Sequence, residues 1–141
     1  MLYVGTRSNF NSSEQIYEVN PVTFLVTRRI DIPKYHWAGI NPLIVMNNNS
    51  LLAVLGSTLY VISLPAFNIT RTIDLSSYVT GSAYIAQGVV AGRHGYFIVA
   101  SGKSGGGNDN LLQVDFSGTH SLPPTVLSNC VFALFGKVLC P

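Results

Sequence analysis

Two stretches of this chain align without a gap at an offset of 43 residues, and that repeat limits the available folds more than any other feature. Ile16-Tyr17-Glu18-Val19-Asn20-Pro21-Val22-Thr23-Phe24 lies over Leu59-Tyr60-Val61-Ile62-Ser63-Leu64-Pro65-Ala66-Phe67. Thr27-Arg28-Arg29-Ile30-Asp31-Ile32 then falls on Thr70-Arg71-Thr72-Ile73-Asp74-Leu75. Six of the 17 positions from 16 to 32 are identical, where chance gives about one. A weaker third copy, Leu111-Leu112-Gln113-Val114-Asp115, starts 52 residues after Leu59. Each copy reads as a β-hairpin. An apolar strand ends in Asn, Ser or Asp, whose side chain bonds the backbone that opens a turn. The Thr-Arg-x-Ile-Asp segment is the return strand, alternating as a more solvated outer strand does.

A further apolar run precedes each hairpin: Leu2-Tyr3-Val4-Gly5, Leu51-Leu52-Ala53-Val54-Leu55-Gly56 and Tyr96-Phe97-Ile98-Val99-Ala100-Ser101. Before the last two lie Pro42-Leu43-Ile44-Val45-Met46 and Ala83-Tyr84-Ile85-Ala86. Almost nothing follows a 3.6-residue period, so the chain reads as all-β. Units of four antiparallel strands, 43 to 52 residues apart, are the signature of β-propeller blades. The units fall at roughly 1–33, 40–80 and 81–127, with 128–141 as the start of a further strand or a disulfide-closed tail. Stacked blades cover their inner strands on both faces. That accounts for 48% apolar and only 10% charged residues in 141.

The turn followed by Arg-x-Ile-Asp-(Ile/Leu), with Pro33 after the first copy, resembles the YVTN-type surface-layer β-propeller repeat. Gly92-Arg93-His94-Gly95-Tyr96-Phe97 with Leu111-Leu112-Gln113-Val114-Asp115-Phe116 resembles repeats of the same superfamily in secreted and cell-surface proteins. The resemblance spans roughly residues 2 to 127. Two departures stand out: Gly88-Val89-Val90-Ala91 takes the place of the usual Asp-Pro turn, and the chain holds about three units. Closed propellers have about four to eight blades, so the expectation is an incomplete propeller: a fragment, or a subunit completed by other chains. The resemblance implies a non-enzymatic extracellular module acting as scaffold, assembly or binding unit. The alternative it leaves is part of a lactonase-like or quinoprotein-like propeller enzyme whose site lies in absent blades.

The remaining signals are modest. A net charge of +2 is too small for a nucleic-acid footprint. The uncharged stretch from Ala38 to Thr70 is broken by Pro42, Asn47 to Ser50, Gly56 and Pro65, so no membrane span is expected. No signal peptide is visible at Met1. Asn11, Asn48 and Asn68 head Asn-x-Ser/Thr sequons in expected loops or turns, giving candidate N-glycan acceptors; the alternative is plain turn asparagines. Cys130 and Cys140 lack the spacing of a zinc site and read as a local disulfide, with two buried thiols as the alternative. Both features would place the protein in the secretory route or at the cell surface.

Gly102-Lys103-Ser104 fails as a phosphate loop because Phe97 stands where glycine is required. Gly105-Gly106-Gly107-Asn108-Asp109-Asn110 reads as a flexible hairpin loop. The cluster Tyr35-His36-Trp37 is a candidate recognition surface, the plainer alternative being Trp37 packed between blades. No cofactor or metal is expected. The partners expected are other protein chains completing or stacking on the propeller, including copies of this one.

Overall fold

The computed structural model describes residues 1–6, 13–32, 40–47, 49–79, 83–100, 110–117, 124–127, 131–132 and 138–139. Within them the protein is all-β, with no helix. It divides into two compact units, Met1–Tyr78 and Val79–Pro141.

The first unit holds two sheets. The first sheet is a three-stranded antiparallel meander: β1 (Leu2–Gly5), β2 (Glu14–Val19) and β3 (Val26–Ile32) in spatial order β1-β2-β3. The second sheet is a four-stranded meander: β4 (Ile40–Asn47), β5 (Ser50–Leu55), β6 (Thr58–Ser63) and β7 (Asn68–Asp74), in order β4-β5-β6-β7. In the second unit, β8 (Tyr84–Ala91), β9 (His94–Ala100), β10 (Asn110–Asp115) and β11 (Thr125–Leu127) form a third sheet in the order β11-β10-β9-β8. A short hairpin follows, β12 (Val131–Phe132) with β13 (Val138–Leu139), pairing Val131 with Leu139.

Side chains at the strand ends make the turns. Asn20 Oδ1 accepts from the backbone N–H groups of Val22 (2.9 Å) and Thr23 (3.2 Å). Ser63 Oγ accepts from Ala66 N–H at 3.4 Å, and Asp115 Oδ1 from Ser117 N–H at 2.7 Å. These are the three positions expected to open turns, and each does so through the local bond that its side chain favours.

Positions 43 apart share more than residue type. Glu18 stands opposite Arg28 as Val61 stands opposite Arg71, and Ile16 opposite Ile30 as Leu59 opposite Ile73. Register shifts occur at Glu18/Val19 and at Val61/Ile62. Just past each shift, Thr27 Oγ1 donates to Glu18 O and Thr70 Oγ1 to Val61 O, both at 3.1 Å. Phe24 (φ 56°) and Phe67 (φ 50°) both take the left-handed backbone, an unusual state for a bulky side chain.

The core of the first unit lies between its two sheets. Ile16 and Ile32 pack with Leu51, Ala53, Leu55, Tyr60 and Ile62. Every residue from Leu51 to Leu55 is fully buried, so β5 is covered on both faces, the state expected of a continuous apolar run. In the third sheet, the Phe97 ring occupies the space over Gly88 and Gly95, where an added Cβ would lie 2.5 and 2.6 Å from it. Gly88 therefore belongs to a strand and not to a turn. β8 runs on to Ala91, and its turn is made at Gly92, where φ is +60°.

Candidate interaction surface

One buried polar cluster fastens the first sheet to the second. Glu18, on β2, is almost fully buried. Its carboxylate accepts from Thr27 Oγ1 at 2.7 Å and from Arg28 Nε at 2.9 Å, with a second bond from Arg28 Nη2. Tyr3, opposite it on β1, donates at 3.5 Å. The same guanidinium donates through Nη1 to Pro65 O at 2.9 Å and lies 4.8 Å over the Phe67 ring. Tyr3 stacks on Phe67 with ring centroids 6.4 Å apart. The turn between β6 and β7 is thus held in a socket of Tyr3 and Arg28, with Glu18 behind them. The bonds from Arg28 hold the Glu18 carboxyl below its ordinary range, against the opposing effect of burial. Burial first, and the Glu18 charge second, push the Tyr3 hydroxyl up.

The opposite face of the first sheet has no such cover. Strand register makes Leu2 the counterpart of Leu51, since each faces the same repeat position, Val19 or Ile62. Likewise Val4 corresponds to Ala53. Leu51 and Ala53 are 0% exposed, whereas Leu2 and Val4 are each 48% exposed. Phe67 is 7% exposed and Phe24 is 75%. Val22, Leu25 and Val26 of the same hairpin are exposed as well. Exposed apolar residues on one sheet face are the kind of surface that protein contacts use.

A smaller polar group sits at the end of the third sheet. Asp115 accepts from Ser117 and lies 3.7 Å from both Arg93 and His94. The Ser117 bonds, from side chain and backbone, lower its pKa most, with Arg93 and His94 adding to this. Phe116 N–H donates to Arg93 O at 2.8 Å, so the cluster joins the β8–β9 turn to the end of β10. Asp31 and Asp74 likewise sit at strand ends: Asp31 accepts from Gln15 Nε2, and Asp74 accepts from Ser76. Among the described residues no three His, Cys, Asp or Glu come together as a metal would require, and no helix is long and apolar enough to cross a membrane.

Of the residues singled out in the sequence, Asn68 is exposed. It is the first residue of β7, paired with Ser63, so it begins a strand where a loop or turn was expected. Asn11, Asn48, Tyr35, His36, Trp37, Cys130 and Cys140 lie outside the described residues. The clamp of Glu18 and Arg28 was not read from sequence. Its one signal there is the exchange of Glu18 for Val61 while Arg28 and Arg71 match. The chain matches no model of a known family and no curated protein.

Proposed function

We propose that this chain is a non-enzymatic, secreted or cell-surface β-propeller module of the YVTN-like kind, serving as a scaffold that assembles with other protein chains. The observation that carries this is the unequal fate of one repeated face. In the second sheet the face of Leu51, Ala53 and Phe67 is covered by a neighbouring sheet; in the first, the face of Leu2, Val4 and Phe24 is open. A blade that stacks on a neighbour leaves such a face wherever that neighbour belongs to another molecule.

Three meanders of antiparallel strands, the matching registers 43 residues apart and the doubly covered β5 support the blade reading. The extracellular setting rests on the disulfide expected between Cys130 and Cys140 and on the sequons. Val131 and Leu139, the neighbours of the two cysteines in sequence, are cross-strand partners. Asn68 is the acceptor whose exposure is described.

The test is the mass of the native protein, taken from its source without denaturant and compared with the mass of one chain. A larger species is expected. A native species of one chain's mass overturns the proposal.

A further inference from the structure

We infer that the open face of the first sheet is the docking site for the third sheet of a second copy of this chain, so that copies join head to tail; this rests on the assembly proposed above and names its partner. What covers the equivalent face within the chain is known in detail. Phe67 sits against Tyr3, beside a cross-strand pair, Tyr3 with Glu18, on β1 and β2. The surface that covers Phe24 has the same task and calls for the same kind of socket.

The third sheet presents one. The repeat offsets carry Glu18 to Val61 and then to Gln113, and the residue opposite Gln113 is Tyr96. Tyr96 and Gln113 are hydrogen-bonded across the strands, Gln113 Nε2 donating to Tyr96 Oη at 3.4 Å. The pair is therefore a tyrosine and a polar partner in the register of Tyr3 and Glu18. Both residues are half-buried, and Val89, opposite Tyr96 on the same face, is 50% exposed. One difference marks the socket as weaker. Thr125 stands opposite Gln113, where Arg28 stands opposite Glu18, so the guanidinium that caps Phe67 has no equivalent.

The two surfaces belong to different parts of the chain, which makes the contact heterologous. Each copy offers one Phe24 face and one Tyr96 face. A contact of Phe24 faces with each other would instead be symmetric, and the two are separable by mixing.

The experiment uses the purified 141-residue chain in analytical ultracentrifugation, with circular dichroism to show that each variant is folded. Wild type is expected to gain mass with concentration. Phe24→Asp and Val89→Asp, both at exposed positions, are each expected to remain single chains. Mixed, they are expected to form a one-to-one pair, because one carries an intact Tyr96 face and the other an intact Phe24 face. The double variant Gln113→Glu, Thr125→Arg, which restores the clamp chemistry, is expected to tighten self-association about tenfold.

A folded mixture that does not pair, or self-association that survives Phe24→Asp, overturns the inference. A purified wild-type chain that stays single at all concentrations also overturns it. If the native preparation is nevertheless larger than one chain, the scaffold proposal stands with a different partner; if it too is a single chain, both fail.

Discussion

Phe24 and Phe67 hold the same place in two hairpins of like sequence, register and backbone, yet one is exposed and the other is packed under an arginine and a tyrosine. Local sequence therefore sets the shape of the hairpin, and the neighbouring sheet sets what the hairpin contributes to stability. A phenylalanine in the left-handed region carries a backbone cost of about 1–2 kcal/mol. Burial of the Phe67 ring, about 1.5–3 kcal/mol, offsets that cost. At Phe24, which is 75% exposed, no such burial is found among the described residues. A partner seated on Phe24, as proposed above, would supply that offset.

The sharpest break in the comparison comes from truncating each ring. Phe67→Ala is expected to lower unfolding free energy by about 3–5 kcal/mol, as for other buried aromatic deletions. Phe24→Ala in the dissociated chain is expected to stay within about 0.5 kcal/mol of wild type. Urea denaturation of the two variants measures the difference, and equal losses would mean that the two faces are not distinguished by burial.

Arg28→Ala comes next, at about 2 kcal/mol. It leaves the buried Glu18 carboxylate without its main partner, although solvent reaching Arg28 moderates the loss. Third is an effect of pH. The Glu18 carboxyl is held below its ordinary range in the folded protein, so its stabilising contribution is present above the unfolded-state pKa. It is lost as pH falls through the lower folded value. Glu18→Gln should remove that part of the acid dependence of unfolding, leaving a shallower loss below about pH 4.5. Val61, in the same place in the second hairpin, has nothing to titrate.

The smallest effect is a gain. Phe24→Gly relieves the left-handed backbone but adds chain entropy to the unfolded state, for a net stabilisation of about 0.5 kcal/mol in the dissociated chain. A calorimetric melt reads it as a small rise in Tm, and the same change at Phe67 should destabilise strongly.

Much of the local structure was legible in the sequence because it is written in neighbouring residues. The turn-opening Asn20, Ser63 and Asp115, the apolar run of β5 and the return strands β3 and β7 all rest on interactions a few residues long. What escaped has another origin. Gly88 reads as punctuation, yet it lies inside β8 because the Phe97 ring from the adjacent strand needs its space. Glu18 and Arg28 read as two of a few solvated charges on a hairpin. Their meaning comes from Pro65 and Phe67, 37 and 39 residues beyond Arg28, which no local pattern specifies. The left-handed turn shared by Phe24 and Phe67 is likewise invisible in residue type, since phenylalanine carries no preference for it. The open face was legible as an excess of apolar residues and as a count of units too small for a closed ring. Its location needed the cross-strand partners.

Among the described residues, every sheet pairs strands that follow one another in the chain, with no crossover to a distant one. Hairpin closure is then a local event throughout, with short loops to close and little entropy lost before contacts reward it. Each meander can form without waiting for another, in the manner of repeat proteins, whose order spreads between neighbours. β1 is the exception in degree. Four residues long and at a sheet edge, it pairs with β2 alone among the described residues, and within the first sheet it should be the first strand to exchange its amide protons and the last to be fixed during folding. Because Leu2 and Val4 ride on that strand, a partner seated on them would slow the exchange of β1 from outside the chain.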